Sequence, residues 1–288
     1  MKEDATLIDY LKTHRVAIIL TVTILLAAIA VIVTSVRTSR LVVPTNQVNV
    51  RTGPGLSYRT TTELKKGDVI YVVNRKDNWY RVRYSDHHFG WVASWLVNTT
   101  SHLKTATNLS EATIVLDPGH GGSDSGALTS DQQHQEKTET LALAKKVQQA
   151  LQKKGAHVLM TRTGDQTVSL GARPELATDN HADAFISFHF DSSPTNNSAT
   201  GFTTYYYHKT TSLSLAQTLN RALDGLPLPN RGVAVGNYEV IRDNLRPAVL
   251  LEMGYINTDS NFKLIKTPSY QQAVADRVTK GLASYFKD

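Results

Sequence analysis

One short segment limits what this chain can fold into more than any other. Residues 114–116 are apolar and β-branched or large, and Asp117, Pro118 and Gly119 end that run directly before His120 and two further glycines. Such a pattern predicts a buried strand that stops at a Pro-Gly turn. Glycines at the turn let a ligand approach the backbone closely. The segment therefore predicts an imidazole held at a rigid strand end, as a metal ligand or a proton carrier.

Two later apolar segments end in the same way. Residues 184–188 lead directly into His189, and residues 249–251 lead into Glu252. Strands alternate with helical patterns throughout this half of the chain, which predicts an α/β fold with a mostly parallel central sheet flanked by helices. Ligands of such sheets bind beyond the carboxyl ends of the strands, so His120, His189 and Glu252 are expected at one edge. The predicted helices are 136–154, 174–180, 213–226 and 269–286, and the predicted strands are 114–118, 157–161, 184–188, 202–207 and 249–252.

These side chains are suited to a metal site. Two histidines and one carboxylate would leave a tetrahedral zinc ion one open position for water. Cysteine is absent from the sequence, so the ligands must come from His, Asp and Glu. Spacing alone does not choose the third ligand. The candidates are Asp117, His134, Glu136 and Glu139.

Two other kinds of site are disfavoured. The glycine-rich stretch 119–126 matches neither a phosphate-binding loop nor a dinucleotide fingerprint, because position 124 is Asp and no Lys-Ser/Thr pair directly follows the stretch. Ser123 and Ser125 lie near His120, but the chain contains no Gly-x-Ser-x-Gly elbow for a serine nucleophile.

The segment before this half has a different pattern. Residues 43–98 contain several short alternating stretches separated by turns, which predicts a small all-β barrel. Eight Lys and Arg against four Asp and Glu give it a formal charge of +4, whereas residues 113–288 are neutral. This excess favours an anionic partner, and the apolar N-terminus described next favours membrane or cell-wall polyanions over nucleic acid. Large aromatic side chains either line a binding groove or form the barrel core: Tyr58, Trp79, Tyr80 and Trp91.

The N-terminus contains an uncharged apolar run of 21 residues, 16–36. A helix of that length crosses about 30 Å of hydrocarbon, so we predict a single-pass membrane anchor after a cytoplasmic tail, 1–15. The rest of the chain would then face the cell wall. A cleaved signal peptide ending near Ala28-Ile29-Ala30, and hence a secreted protein, is the alternative. Residues 99–112 are rich in Thr, Ser and Asn and predict a flexible linker.

The β segment resembles bacterial SH3-like domains. The resemblance is carried by residues 49–55 (NVRTGPG), 64–67 (LKKG), 78–82 (NWYRV) and 90–92 (GWV). It covers the whole of 43–98 and implies a module that binds cell-wall peptide.

Residues 113–288 resemble the zinc-dependent N-acetylmuramoyl-L-alanine amidases. The matching motifs occur in order: LDPGHGG at 116–122, Glu136-Lys137 at a helix start, FISFH at 185–189, RGV at 231–233 and PAVLLEMGY at 247–255. The resemblance implies that His120, Glu136 and His189 bind zinc and that Glu252 is catalytic. Phe188, Phe190 and Met253 depart from the commoner residues beside these positions, but no ligand is lost.

The implied reaction is hydrolysis of the amide between N-acetylmuramic acid and L-alanine in peptidoglycan. Zinc would polarise the lactyl carbonyl and bind water, and Glu252 would transfer the protons. Only eleven residues, 190–200, separate His189 from Gly201, which predicts an open site without a blocking insertion. Arg173 and Arg246 are expected to contact substrate or to be structural, and a monomer is expected. A different metallohydrolase, such as a peptidase, and a non-catalytic wall-binding protein are the alternatives.

Overall fold

The structure, a computed structural model, describes residues 9–85, 87–98 and 103–287, and within the first helix it leaves out the side chains of 32–38. That helix, α1, is Arg15–Ser39. Searched over the residues that the structure describes, no helix is both long enough and apolar enough to cross a membrane. Residues 1–8 of the predicted tail, 1–15, lie outside the described residues, and the side chains of 32–36 in the predicted anchor, 16–36, are also left out.

The β segment forms one antiparallel sheet of six strands in the order β1-β4-β5-β6-β2-β3. Small apolar side chains fill its interior, including Val50, Ile70, Val82 and Val92, each at 0% exposure. A short helix, α2, Ser94–Val97, ends the domain. The strands are β1 Arg40–Val42, β2 Val48–Arg51, β3 Thr60–Leu64, β4 Val69–Lys76, β5 Trp79–Ser85 and β6 His88–Ala93.

The aromatic residues of this domain have different environments. Trp79 is 6% exposed and belongs to the core, so its role is packing. Tyr80 and Trp91 are partly buried against the same core, whereas Tyr58 is 45% exposed. The four residues therefore do not form one exposed groove, because Trp79 packs into the interior of the small domain.

The described part of the predicted linker is not free. Leu109–Glu111 form a 3-10 helix with all three side chains buried. Glu111 receives two hydrogen bonds from Arg51, from Nε at 2.9 Å and Nη2 at 2.6 Å, and one from the backbone N–H of Asn49 at 3.1 Å. A polar composition predicted flexibility, but this carboxylate pairs with an arginine sixty residues away and fixes the segment between the two domains.

The second domain contains a six-stranded sheet in the order β11-β10-β12-β9-β7-β8. Four of its five strand pairs are parallel, and only β10 and β12 are antiparallel, so the sheet is mixed but mostly parallel, as predicted. The edge strand β11 was not predicted, because its residues are half-exposed and carry a glycine. The strands are β7 Thr113–Pro118, β8 His157–Met160, β9 Ala184–Asp191, β10 Phe202–Tyr206, β11 Asn230–Val235 and β12 Ala248–Tyr255.

Helices cover both faces of this sheet. One face packs against α3, α5 and α8 in the larger apolar core, and the other packs against α4 and α6 in a smaller one. Thr267 begins α8 by accepting a hydrogen bond from the N–H of Tyr270, with Pro268 in the first turn. The helices are α3 Glu136–Lys153, α4 Ala172–Asp179, α5 Lys209–Leu223, α6 Glu239–Arg242, α7 Asp259–Ile265 and α8 Pro268–Tyr285.

The β domain contacts the end of this sheet where its parallel strands begin. Trp95 stacks on His157, the first residue of β8, with ring centroids 5.0 Å apart. Asp77 lies 3.5 Å from His181, shortly before β9. In the connecting segment, Asn108 donates a hydrogen bond to the carbonyl of Phe286, just after α8. The predicted site residues His120, His189 and Glu252 lie at the opposite end of the sheet, where β7, β9 and β12 finish.

Candidate metal centre

The loop after β7 presents His120 in an uncommon backbone conformation. Its φ is +63°, in the left-handed region, and Gly121 and Gly122 follow at +125° and +61°. Non-glycine residues adopt this region rarely. Gly119 is required for a different reason: a Cβ at this position would lie 2.2 Å from Cε1 of His189. The loop therefore brings its backbone directly against the second histidine.

Strand register places His189 and Glu252 side by side. The two residues are partners in the parallel β9–β12 pair. On the other side of β9, Pro118 is paired with Phe188, so the end of β7 and the loop that carries His120 lie beside His189. The predicted convergence of three strand ends is thus confirmed by the register.

Glu136, the first residue of α3, lies between the two histidines. Its Oε2 is 3.0 Å from Nε2 of His120, and its Oε1 is 3.0 Å from Nδ1 of His189. Backbone N–H groups of Ala127 and Phe190 each donate a hydrogen bond of 2.9 Å to the same carboxylate. Its side chain is 4% exposed and so has little freedom to move.

These three residues form a group that could hold a metal ion. Their ligand atoms all lie within 4.8 Å of one another. Two imidazole nitrogens and one carboxylate oxygen are a donor set that suits zinc with one position left open. Asp124 supports the arrangement, because its carboxylate lies 2.8 Å from Nδ1 of His120 and leaves Nε2 facing Glu136.

The electrostatics of this group favour a cation. Burial opposes ionisation of Glu136, but hydrogen bonds and charge from His120 and His189 outweigh it and hold the pKa of Glu136 well below its usual range. Burial also acts to lower the pKa of His120, but Glu136 and Asp124 raise it overall. The carboxylate is therefore ionised at neutral pH, and it attracts positive charge to the space between the imidazoles.

Glu252 has the opposite character. It is 8% exposed, and among the described residues its Oε2 has no hydrogen-bond partner. Burial, followed by repulsion from Glu136 and Asp191, raises the pKa of Glu252 well above its ordinary value. A carboxyl group with these properties, beside a metal-binding group, is suited to accept and release protons.

The four side chains line one cavity of about 620 Å³. His120 and His189 keep 22% and 18% of their side-chain surface exposed, so the cavity is accessible to solvent, as the short 190–200 connection predicts. Tyr238, the residue before α6, and Arg242, the last residue of α6, form part of its rim. Tyr238 packs edge-on against Tyr205, and burial and the nearby Glu252 raise the pKa of Tyr238, which keeps its hydroxyl a donor.

The other candidate ligands lie elsewhere. Asp117 is fully buried and paired with Arg173 at 2.7 Å. His134 packs against Phe262, and Glu139 accepts a hydrogen bond from Gln271. These residues are therefore structural in the described part of the chain.

Both arginines that the sequence left open are also structural. Arg173 is 3% exposed below the His120 loop, and Arg246 donates hydrogen bonds to the carbonyls of Ala182 and His181 at the far end of the sheet. Asp124 was not predicted as part of the site, although it lies four residues after His120. Tyr238 was also missed, because α6 is a single turn without a clear apolar period.

Comparisons with known proteins give one consistent result. Residues 114–284 match the family model described as N-acetylmuramoyl-L-alanine amidase. Residues 46–98 match the model described as bacterial SH3 domain. Both resemblances inferred from the sequence are thereby confirmed.

Similar proteins and structures cover most of the chain. A probable cell wall amidase LytH of Staphylococcus epidermidis is 40% identical over 248 residues, which are 84% of this chain and 83% of that protein. The LytH protein of Staphylococcus aureus is 39% identical over 249 residues, with the same shares of both chains. The crystal structure of N-acetylmuramoyl-L-alanine amidase from Clostridium difficile 630 covers 62% of this chain and 97% of its own, at 34% identity and a TM-score of 0.59.

Proposed function

Since this chain belongs to the N-acetylmuramoyl-L-alanine amidase family and is a cell-wall amidase, we propose that it uses zinc held by His120, Glu136 and His189. Glu252 is the acid and base of the reaction. The observation that carries the proposal is the approach of three ligand atoms to within 4.8 Å beside a buried carboxyl group. Peptidoglycan is the substrate, and the amide between N-acetylmuramic acid and L-alanine is the bond that is cleaved.

Zinc, when bound, supplies a Lewis acid for the amide carbonyl and lowers the pKa of water to near neutrality. The chain supplies the remaining parts of the site. Glu136 and the two histidines would hold that ion at the cavity. Asp124 fixes the ring of His120 so that Nε2 remains the ligand atom.

Glu252 moves the protons. Its unpartnered Oε2 is free to accept a proton from the attacking water and to deliver one to the leaving amine of L-alanine. The raised pKa of Glu252 suits delivery, and the positive charge of a bound cation would offset the repulsion from Glu136 and suit acceptance. Tyr238 lines the rim of the cavity, where wall polymer would enter.

Analysis of the products tests this proposal. The detergent-solubilised full chain is incubated with purified peptidoglycan, with and without a chelator, and the products are identified by mass spectrometry. We expect free stem peptides that begin with L-alanine and intact glycan strands, loss of this activity with the chelator, and its return with zinc. Peptide cleavage within the stem, or full activity in the chelator, would contradict the proposal.

Metal analysis of one variant completes the test. His120→Ala should contain less than a tenth of the wild-type zinc, because one of three ligands is removed. Arg246→Lys is the matched control, since Arg246 lies at the opposite end of the sheet and should leave the zinc content unchanged.

We further propose that residues 43–98 bind cell-wall peptide and that residues 16–36 anchor the chain in the membrane with the other domains facing the wall. The SH3 match and the charge of +4 support the first assignment, and the uncharged run of 21 residues supports the second. Deletion of residues 1–39 should release the protein from membrane fractions, and unchanged sedimentation with membranes would contradict the anchor.

A further inference from the structure

Arg162 and Arg173 donate hydrogen bonds to the backbone of the loop that carries His120. The carbonyl groups of Pro118, Gly119 and His120 all accept hydrogen bonds from guanidinium groups. Three successive carbonyls directed at buried cations are not needed to end a strand. The last of these carbonyls belongs to His120, whose φ of +63° is uncommon for a residue with a Cβ.

Arg173 makes the contact to His120 itself. Its Nη2 donates to the carbonyl oxygen of His120 at 3.0 Å and to that of Val168 at 3.0 Å. Its Nη1 donates to the carbonyl of Pro118 at 3.0 Å and to Oδ1 of Asp117 at 2.7 Å. All four Nη hydrogens are therefore used, and Arg173 is 3% exposed.

Asp117 fixes the guanidinium in turn. It is fully buried, and its carboxylate also accepts hydrogen bonds from the hydroxyls of Thr161 at 2.6 Å and Ser187 at 2.7 Å. These donors lie just after β8 and within β9, on either side of β7. The position of Arg173 is thus set by Asp117 at the end of β7, and Asp117 is itself held from both neighbouring strands.

Arg162 holds the neighbouring peptide group. Its Nη2 donates to the carbonyl of Gly119 at 2.8 Å, and its Nε donates to that of Pro118 at 3.0 Å. Thr140, on α3, donates to the same carbonyl of Gly119 at 2.8 Å. The loop is consequently connected to the helix that begins with Glu136.

We propose that Arg173 is a positioning residue that holds the left-handed backbone of His120 so that its imidazole meets Glu136 and His189. The inference rests on the proposed metal site and assigns to Arg173 a role in forming it. Lysine cannot replace this function, because one ammonium group cannot reach Asp117 and the carbonyls of His120 and Val168 together. A loop released from Arg173 would return His120 to a commoner φ and turn the imidazole away.

The test measures metal affinity rather than turnover. Zinc binding to the full chain in detergent is titrated against a competing chelator, and the absorption spectrum of the cobalt-substituted protein reports the ligand geometry. For Arg173→Lys we expect zinc affinity to fall about 10- to 100-fold, the range found when groups supporting metal ligands are changed. The cobalt bands should also shift or weaken.

Two control variants separate positioning from general stability. Thr161→Val removes a hydrogen bond to the same buried carboxylate but leaves the contact to His120 in place. Arg246→Lys makes the same substitution at an arginine that donates to carbonyls at the other end of the sheet. Both should lower the melting temperature and leave zinc affinity and the cobalt spectrum within twofold of wild type.

The outcomes distinguish this inference from the proposed function. If Arg173→Lys binds zinc as wild type does, or if affinity falls in all three variants in proportion to melting temperature, the positioning role is refuted. If the wild-type protein itself binds no stoichiometric zinc, the proposed metal site fails instead. A selective loss in Arg173→Lys, with a changed cobalt spectrum, supports the inference.

Discussion

Replacement of Glu252 by glutamine should abolish catalysis without harming the fold. Glutamine keeps the shape of the side chain but cannot take a proton from water. General acid–base catalysis contributes about 10²- to 10⁴-fold to rate, and Glu252 is proposed to act in both directions, so we expect kcat to fall about 10³-fold. That factor corresponds to about 4 kcal/mol of transition-state stabilisation.

The electrostatics of the site set the expected effect on stability. The folded-state pKa of Glu252 is raised above its unfolded value, so the metal-free folded protein binds this proton more tightly than the unfolded chain. Stability from this group is present below the unfolded pKa and is lost as pH rises through the folded pKa. Glu252→Gln removes that loss, and the metal-free variant should be at least as stable as wild type at neutral pH.

A second buried glutamate provides the control. Glu139 is also 8% exposed with a raised pKa caused by burial, but it accepts a hydrogen bond from Gln271 and lies outside the cavity. Dye release from purified cell wall, zinc content and chemical denaturation would be measured for Glu139→Gln and Glu252→Gln together. Retention of more than a tenth of wild-type kcat by Glu252→Gln, or an equal loss in Glu139→Gln, would refute the assignment.

Three further variants test separate parts of the structure. Gly119→Ala should lose metal although no ligand is removed, because its Cβ would lie 2.2 Å from the ring of His189. A normal zinc content would show that the loop can move to accommodate the methyl group. Asp183→Asn should raise the free energy of unfolding at pH 7 by about 1–2 kcal/mol. Burial raises the pKa of this half-buried acid to about 6, so the wild type loses stability as pH rises from 4 to 6. Urea denaturation of the variant should show a flatter pH profile over that range, and an unchanged profile would count against it. Arg51→Met should cost about 3–5 kcal/mol by leaving Glu111 buried without its cation, and a loss below 1 kcal/mol would mean that this pair contributes little.

Much of the site could be predicted from short segments of sequence. Apolar strands that end at His120, His189 and Glu252 predict one shared edge, because parallel strands finish at the same side of a sheet. Sequence spacing did not distinguish Glu136 from Glu139 as the third ligand, because both lie on one helix face. The choice of Glu136 over Glu139 depends on which side chain reaches the two imidazoles, and in the sequence only the resemblance to the amidases indicated Glu136.

Other features depend on partners far apart in the chain. Asp117 had the right type and position for a ligand, but Arg173, fifty-six residues later, uses its carboxylate instead. Glu111 lies in a polar segment that predicts flexibility, and only the folded β domain places Arg51 against it. No local pattern reports such pairs, since the two partners lie fifty-six residues apart in one pair and sixty in the other.

The placement of the β domain has a consequence for the length of polymer that the enzyme can engage. This domain contacts the sheet where its strands begin, while the cavity opens where they finish, and the eight residues of β12 alone span about 25 Å. A wall polymer whose peptide is bound by the β domain, as proposed above, must therefore extend along the catalytic domain to place its amide at the histidines. Short soluble fragments are unable to occupy both places at once, whereas intact sacculus offers many chains long enough to do so.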